Sequence, residues 1–221
     1  MDVPLTERGR EEARAAGVLL RENGFDFRLA YTSKLSRAIE TLHLLEDAMG
    51  LSWIADFKDW RLNEKHYGIL QGWSKRETAQ EFGEEQVAQW RRGYRCAPPP
   101  LEEGDERCPS SDPRYEGVEP SRLPRTESLA DTAERVDECW REQLAPTLRY
   151  RDSLLVVAHG NSLRALVMLL RGLSPEEVEG LNIPTAIPLV LELDEGLSFR
   201  REHYLGDPAH LAEGLHAAGA L

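Results

Sequence analysis

Apolar residues recur along the chain in two alternating rhythms. Between Thr6 and Asn23, the residues Ala13, Ala16, Gly17 and Leu20 share one side of a 3.6-residue period, with Thr6 placed to cap a helix and Gly24 to end it. Residues 27–33 read as a short strand. Leu35, Ala38, Ile39, Leu42, Leu45 and Met49 then resume helical spacing, which stops at Gly50. Residues 52–62 are extended and aromatic, carrying Trp53, Phe57 and Trp60. Ser74 and Glu77 form a capping box that opens a helical stretch interrupted at Gly83 and resumed through Val87 and Trp90 to Arg92. Ser128 starts a further helix through Val136, Trp140 and Leu144. Residues 154–158 are uniformly apolar, as expected of a strand covered on both faces, and His159-Gly160-Asn161 leads from them into a helix at 163–171. Ser174-Pro175-Glu176-Glu177 combines an N-cap, a first-turn proline and a capping box. Residues 189–193 and 199–205 flank Asp194-Glu195-Gly196, a hairpin signal.

Strands alternating with helices predict an α/β fold: three layers, a mostly parallel sheet with an antiparallel edge, and helices on both faces. At 221 residues and 41% hydrophobic, the chain can bury one substantial core, so residues 1–221 are read as a single domain without internal repeats. Residues 96–125 break the rhythm with Pro98, Pro99 and Pro100 and a polar, acidic run. A loop of that length is either a lid or binding element near a site, or a tolerated surface insertion.

Charge and composition narrow the partners. A formal net charge of −12 argues against nucleic acid, whose binding is dominated by cations. A local cluster of arginines still suffices for a small anion, because screening limits the reach of exposed charges to about 8 Å. No apolar run approaches the ~20 residues of a membrane span, so a cytoplasmic location and no membrane partner are expected. Cys96, Cys108 and Cys139 match no zinc spacing, and no metal is expected.

Ligands of α/β sheets bind beyond the carboxyl ends of the strands. His159 stands at such an end, followed by Gly160, which admits close backbone approach, and by a helix N-terminus suited to an anion. From position alone His159 reads as a nucleophile. Ser33 ends the first strand, and Arg37 in the next helix's first turn opposes that helix's dipole unless an anion lies between them. Residues 61–68 place Glu64, Lys65, His66 and Tyr67 directly after an extended segment, and Lys75, Arg76, Arg91 and Arg92 extend the cationic character. His43, His66, His203, His210 and His216 lack the setting of His159.

The blocks Tyr31-Thr32-Ser33 with Arg37-Ala38, Leu62-Asn63-Glu64-Lys65-His66-Tyr67-Gly68, Gln89-Trp90-Arg91-Arg92, Ala158-His159-Gly160-Asn161-Ser162-Leu163-Arg164-Ala165 and Leu181-Asn182-Ile183-Pro184-Thr185 occur in this order. With them the chain resembles the cofactor-dependent phosphoglycerate mutases of the histidine phosphatase superfamily. The resemblance implies an isomerase of glycolysis and gluconeogenesis that interconverts 2- and 3-phosphoglycerate through a phosphohistidine, primed by 2,3-bisphosphoglycerate and without metal. It implies Glu64 as proton donor and acceptor and His159 as the second histidine, stabilising the phosphoryl group in flight. Arg37, Lys65, His66, Tyr67, Lys75, Arg91, Arg92, Gly160 and Asn161 become substrate-binding candidates, and a homodimer or homotetramer is implied.

Members of that family begin with a strand ending in Arg-His-Gly, whose histidine is the nucleophile, and no Arg-His-Gly occurs in these 221 residues. The expectation is therefore a phosphoglycerate mutase-like fold lacking its first strand, with the chain truncated at its N-terminus. The competing expectations are a catalytically dead phosphate-binding or scaffold homologue, and a bisphosphoglycerate synthase or phosphatase using the same pocket.

Overall fold

The computed structural model describes residues 2–219, with the backbone but not the side chain of Lys75. Three parallel strands form its centre: β1 (Leu29–Thr32), β2 (Ala55–Lys58) and β3 (Leu155–Val157), in the order β2-β1-β3. In register, Leu29 faces Ala55 and Ala30 faces Leu155. The side chains of β1 alternate as a two-residue period requires. Ala30 joins a cluster with Leu20, Leu42, Leu45 and Leu155, while Tyr31 joins the opposite cluster with Leu129, Val136, Leu144, Ala165 and Leu166.

The first cluster comes from α1 (Glu7–Glu22) and α2 (Ser36–Met49). Thr6 caps α1 by accepting from the Gly9 amide, and Gly50 ends α2 in the left-handed region at φ 73°. The two helices touch closely at Gly17, where a Cβ would lie 2.6 Å from the Leu45 carbonyl oxygen. The second cluster comes from α5 (Leu129–Cys139) and α7 (Gly160–Arg171), which completes three layers. Between sheet strands lie α3 (Lys75–Phe82) and α4 (Glu84–Arg92), split at Gly83, and α6 (Ala145–Leu148), which follows a π-helical turn at Trp140–Leu144. The capping boxes expected at Ser74 and at Ser174, which opens α8 (Pro175–Gly180), both form, and a third, not read from the sequence, forms at Ser128.

The mixed α/β architecture read from the sequence holds, with a parallel core sheet flanked by helices. The hairpin β4 (Leu189–Leu193) and β5 (Phe199–Tyr204) is antiparallel as expected, and among the described residues it forms a sheet of its own. Val190 and Leu205 carry it onto the α1–α2 cluster beside Leu155. A last helix, α9 (Pro208–Gly219), went unread in the sequence because alanine and glycine fill much of it and none of its residues is buried. The available signal was Asp207-Pro208, an N-cap followed by a first-turn proline. No helix among the described residues is long and apolar enough to cross a membrane.

Residues 96–125 hold three single 3₁₀ turns and bury Leu101, Cys108, Tyr115 and Leu123. Both ends of this loop are fixed beside residues 66–69. Ile69 N donates to Pro99 O, and Gly68 adopts φ 54° where a Cβ would fall 2.1 Å from that same oxygen.

Candidate active site

The register of the sheet builds the centre of the site. Thr32 of β1 pairs with Val157 of β3, so the residues that follow each strand end side by side. Ser33 Oγ lies 2.7 Å from His159 Nε2, and the same hydroxyl accepts from the Leu35 amide. His159 is 6% exposed. Burial, helped by the positive charges of Arg37 and Arg135 and opposed by Glu64, lowers its imidazole to about 4, so the ring is neutral at pH 7.

Glu64 meets this ring from residues 61–67. Its Oε1 accepts from three donors: the Lys65 amide at 2.8 Å, Asn161 Nδ2 at 2.9 Å and the Asn161 amide at 3.3 Å. Its Oε2 is turned toward Gly160 and lies 3.9 Å from where a Cβ there would sit. Burial opposes ionisation, yet His159, the Asn161 and Lys65 donors and Arg37 outweigh it and hold the carboxyl below its ordinary value. The N-terminus of α7 also points its dipole at this carboxylate. Asn161 Nδ2 further donates to the Tyr67 hydroxyl at 2.8 Å, which leaves the phenolic proton free for another acceptor.

The segment is held from outside by a buried ion pair. Arg135 of α5 bonds Glu127 through Nε at 2.6 Å, and its other nitrogens donate to the carbonyls of Arg61 and Glu64. Glu127 in turn accepts from the His66 amide at 2.7 Å. Asn63 Oδ1 accepts from the Lys34 amide and Asn63 Nδ2 donates to Tyr115, so the long loop is tied to the residue preceding Glu64.

Beyond Asn161 opens a cavity of about 150 Å³ lined by Tyr67, Arg91, Arg92, Gly160, Arg164 and Asn182 among others. Arg91 stacks over the Tyr67 ring at 5.3 Å, and Arg92 donates to Asn182 Oδ1 at 2.8 Å and to Ala218 O of α9 at 2.7 Å. Three guanidinium groups around so small a space give it the charge to receive an anion. A broader depression of about 420 Å³ along α2 is lined by Glu40, His43 and Asp47 and by no arginine or lysine, so it is less suited to an anion than the first.

The expected residues sort by placement. Glu64, His159, Asn161, Tyr67, Gly160, Arg91 and Arg92 are brought together. Arg37 sits close enough to influence both Glu64 and His159, and its guanidinium has no hydrogen-bond partner among the described residues. Lys65 and His66 do not line the cavity. The Lys65 ammonium is 1% exposed, bonds the Trp90 carbonyl at 2.6 Å and is pushed down to about 8 by burial, so it anchors the end of α4. His66 Nδ1 accepts from the Gly68 amide, and burial lowers this ring to about 4. The Lys75 side chain lies outside the described residues. Ser33, Arg135, Arg164 and Asn182 were missed as site residues. Two of them had a readable signal: Ser33 its place at the end of the first strand, and Arg164 its spacing of three from Asn161 on one helix face.

Among the described residues, no group of three or more His, Cys, Asp or Glu is arranged to hold a metal ion. The chain matches the family model for the histidine phosphatase superfamily (branch 1) over residues 1–110 and 102–200. It is 49% identical over 216 residues to a 2,3-bisphosphoglycerate-dependent phosphoglycerate mutase of Porphyromonas gingivalis, covering 98% of this chain and 87% of the relative. A Parabacteroides distasonis protein of the same name is 52% identical over the same shares. Among solved structures, a mycobacterial glucosyl-3-phosphoglycerate phosphatase superposes with TM-score 0.64 at 23% identity, covering 92% of this chain and 87% of that one. An alpha-ribazole phosphatase from Shigella flexneri superposes with TM-score 0.66 at 20% identity, covering 94% and 86%. These two speak to the fold alone. The paired strand ends at Ser33 and His159, the carboxylate between them and the arginine cavity, taken with relatives near 50% identity, place the chain in the histidine phosphatase superfamily, among the 2,3-bisphosphoglycerate-dependent phosphoglycerate mutases.

Proposed function

We propose that this chain interconverts 2- and 3-phosphoglycerate by phosphoryl transfer, in the cytoplasm, within glycolysis and gluconeogenesis. The observation that carries this reading is Glu64: its Oε1 is saturated by three donors while Oε2 faces Gly160 between a neutral imidazole and the arginine cavity. Each substrate hydroxyl that attacks must lose a proton, and each oxygen that leaves must gain one. An ionised carboxylate with one oxygen fixed and the other open performs both steps at Oε2. Phosphoryl transfer otherwise demands positioning and neutralisation of oxygen charge. Arg37 neutralises charge beside His159, and the neutral imidazole and the N-terminus of α7 offer hydrogen bonds to the phosphoryl oxygens.

Arg91, Arg92, Tyr67 and Asn182 hold the far carboxylate or phosphate of a three-carbon acid. The donor set fits 2,3-bisphosphoglycerate as well, because the charged residues lining the cavity are all arginines and the buried Arg164 Nε has no partner. When bound, 2,3-bisphosphoglycerate would supply the priming phosphoryl group to the family's Arg-His-Gly histidine, a motif that these 221 residues do not contain. No metal has a part in this reading. The exposed edge of β2, with Phe57 47% and nearby Trp53 63% exposed, supports self-association as a homodimer or homotetramer.

The 96–125 loop, docked through Tyr115 on Asn63, is read as part of the site rather than a surface insertion. Phosphorus NMR of 3-phosphoglycerate with a trace of 2,3-bisphosphoglycerate tests the activity, with 2-phosphoglycerate as the expected product and Glu64→Gln as the inactive control. The absence of Arg-His-Gly from these 221 residues favours a second reading, phosphoglycerate binding without turnover. Calorimetric binding with no product formed selects it.

A further inference from the structure

Arg164 is the third guanidinium at the cavity, and its bonds run away from it. On α7 it stands three residues after Asn161, and Nη1 donates to Asn161 Oδ1 at 3.0 Å. Nη2 donates to the carbonyls of Val178 at 2.6 Å and Glu179 at 3.3 Å, at the end of α8. The residue is 7% exposed, so its fork is fixed. A guanidinium only donates, which obliges Asn161 to turn its oxygen toward Arg164. The amide nitrogen is thereby turned the other way, onto Glu64 Oε1 and the Tyr67 hydroxyl. Without Arg164, nothing in this network distinguishes the two ends of the Asn161 amide except Glu64 itself.

We propose that Arg164 is a positioning residue for proton transfer: it locks the Asn161 amide, and through that amide fixes which oxygen of Glu64 is held and which is left to the substrate. The inference rests on the reading of Glu64 as the proton-transfer group. A point charge does not replace the fork, since a lysine ammonium cannot span Asn161 Oδ1 and two α8 carbonyls in the same plane. The other charged or titratable groups facing Glu64 are His159 after β3, Arg37 from α2, Arg135 from α5, and Lys65 and Tyr67 from its own segment. All of them remain in place when Arg164 is changed.

The test follows the Glu64 carboxyl by ¹³C NMR titration of the full chain, native and Arg164→Lys, each also with Asn161→Ala. Arg164→Lys raises the Glu64 midpoint by about one pH unit, the scale of one lost hydrogen bond to a carboxylate. In the Asn161→Ala background the same change has no further effect, because the relay is already cut. An unmoved midpoint in Arg164→Lys overturns the proposal, and so does an equal rise in both backgrounds, which would mean an effect that does not pass through Asn161. Arg164→Gln is the second variant, with the same two criteria, and urea unfolding verifies that each protein is folded. The titration uses no substrate, so a chain that makes no 2-phosphoglycerate defeats the mutase reading while leaving this result standing.

Discussion

The Ser33 hydroxyl lies 2.7 Å from His159 Nε2, although the two residues are 126 positions apart. Their pairing follows from the parallel register of β1 and β3, and Ser33 is held in turn by the Leu35 amide. Ser33→Ala removes this partner of the ring and lets the imidazole rotate in its pocket. The expected cost is about 1 kcal/mol, roughly fivefold in kcat/KM for 3-phosphoglycerate, with little change in thermal stability. Steady-state kinetics beside a melting curve check it, and an unchanged kcat/KM would show that packing alone orients His159.

Arg37 is a cation without a hydrogen-bond partner among the described residues, in the first turn of α2, close enough to depress Glu64 and His159. Such a placement opposes the helix dipole until an anion arrives. Arg37→Ala is expected to weaken phosphate and 3-phosphoglycerate binding by about 1.5–3 kcal/mol, the scale of a charged hydrogen bond. Isothermal calorimetry against both ligands measures this. Equal affinities in the two proteins would place Arg37 outside the site.

What the sequence made legible was whatever a local rule encodes. The helix from Thr6, the capping boxes at Ser74 and Ser174, and the short apolar strand before His159 each depend on residues within four positions of one another. Lys65 shows where that reach ends. Its type and neighbours suggest an anion ligand, but a fold-level contact with the end of α4 turns its ammonium to the Trp90 carbonyl. Arg135 was illegible for the same reason: its value lies in the carbonyls of Arg61 and Glu64, more than 70 positions earlier. Ser33 sat in view at a strand end, and only the β1–β3 register made it a partner of His159.

The buried imidazoles of His66 and His159 are both lowered to about 4 from an ordinary value of 6.5. Between those limits the unfolded chain binds the additional protons, so these groups make stability rise with pH from about 4 to 6.5. Each shift is worth roughly 3 kcal/mol when fully expressed. Glu46 acts in the opposite sense. It is 5% exposed, its Oε1 has no partner, and burial followed by the charge of Asp56 raises its carboxyl to about 7. Its contribution is present below about 4.5 and lost as pH rises through 7. Glu46→Gln should therefore unfold at higher urea than the native chain at pH 8 and at the same urea at pH 4.5. A gain of equal size at both pH values would assign the effect to packing.

Arg135 and Glu127 form the support beneath the segment that carries Glu64, and both are nearly sealed from solvent. Breaking one partner of such a pair leaves the other charged and buried, at a cost of about 3–5 kcal/mol. Arg135→Met also removes donors from the Arg61 and Glu64 carbonyls, and Glu127→Gln weakens the acceptor for the His66 amide. Each single variant is expected to lose that much in urea unfolding, whereas the double variant loses less than the sum, because no lone charge remains. The kinetic expectation differs: the double variant regains stability but not turnover, since Glu64 has lost the bond that fixes its backbone. Strict additivity of the two stability losses would show that the residues act separately, and turnover restored along with stability would remove Arg135 from the positioning of Glu64.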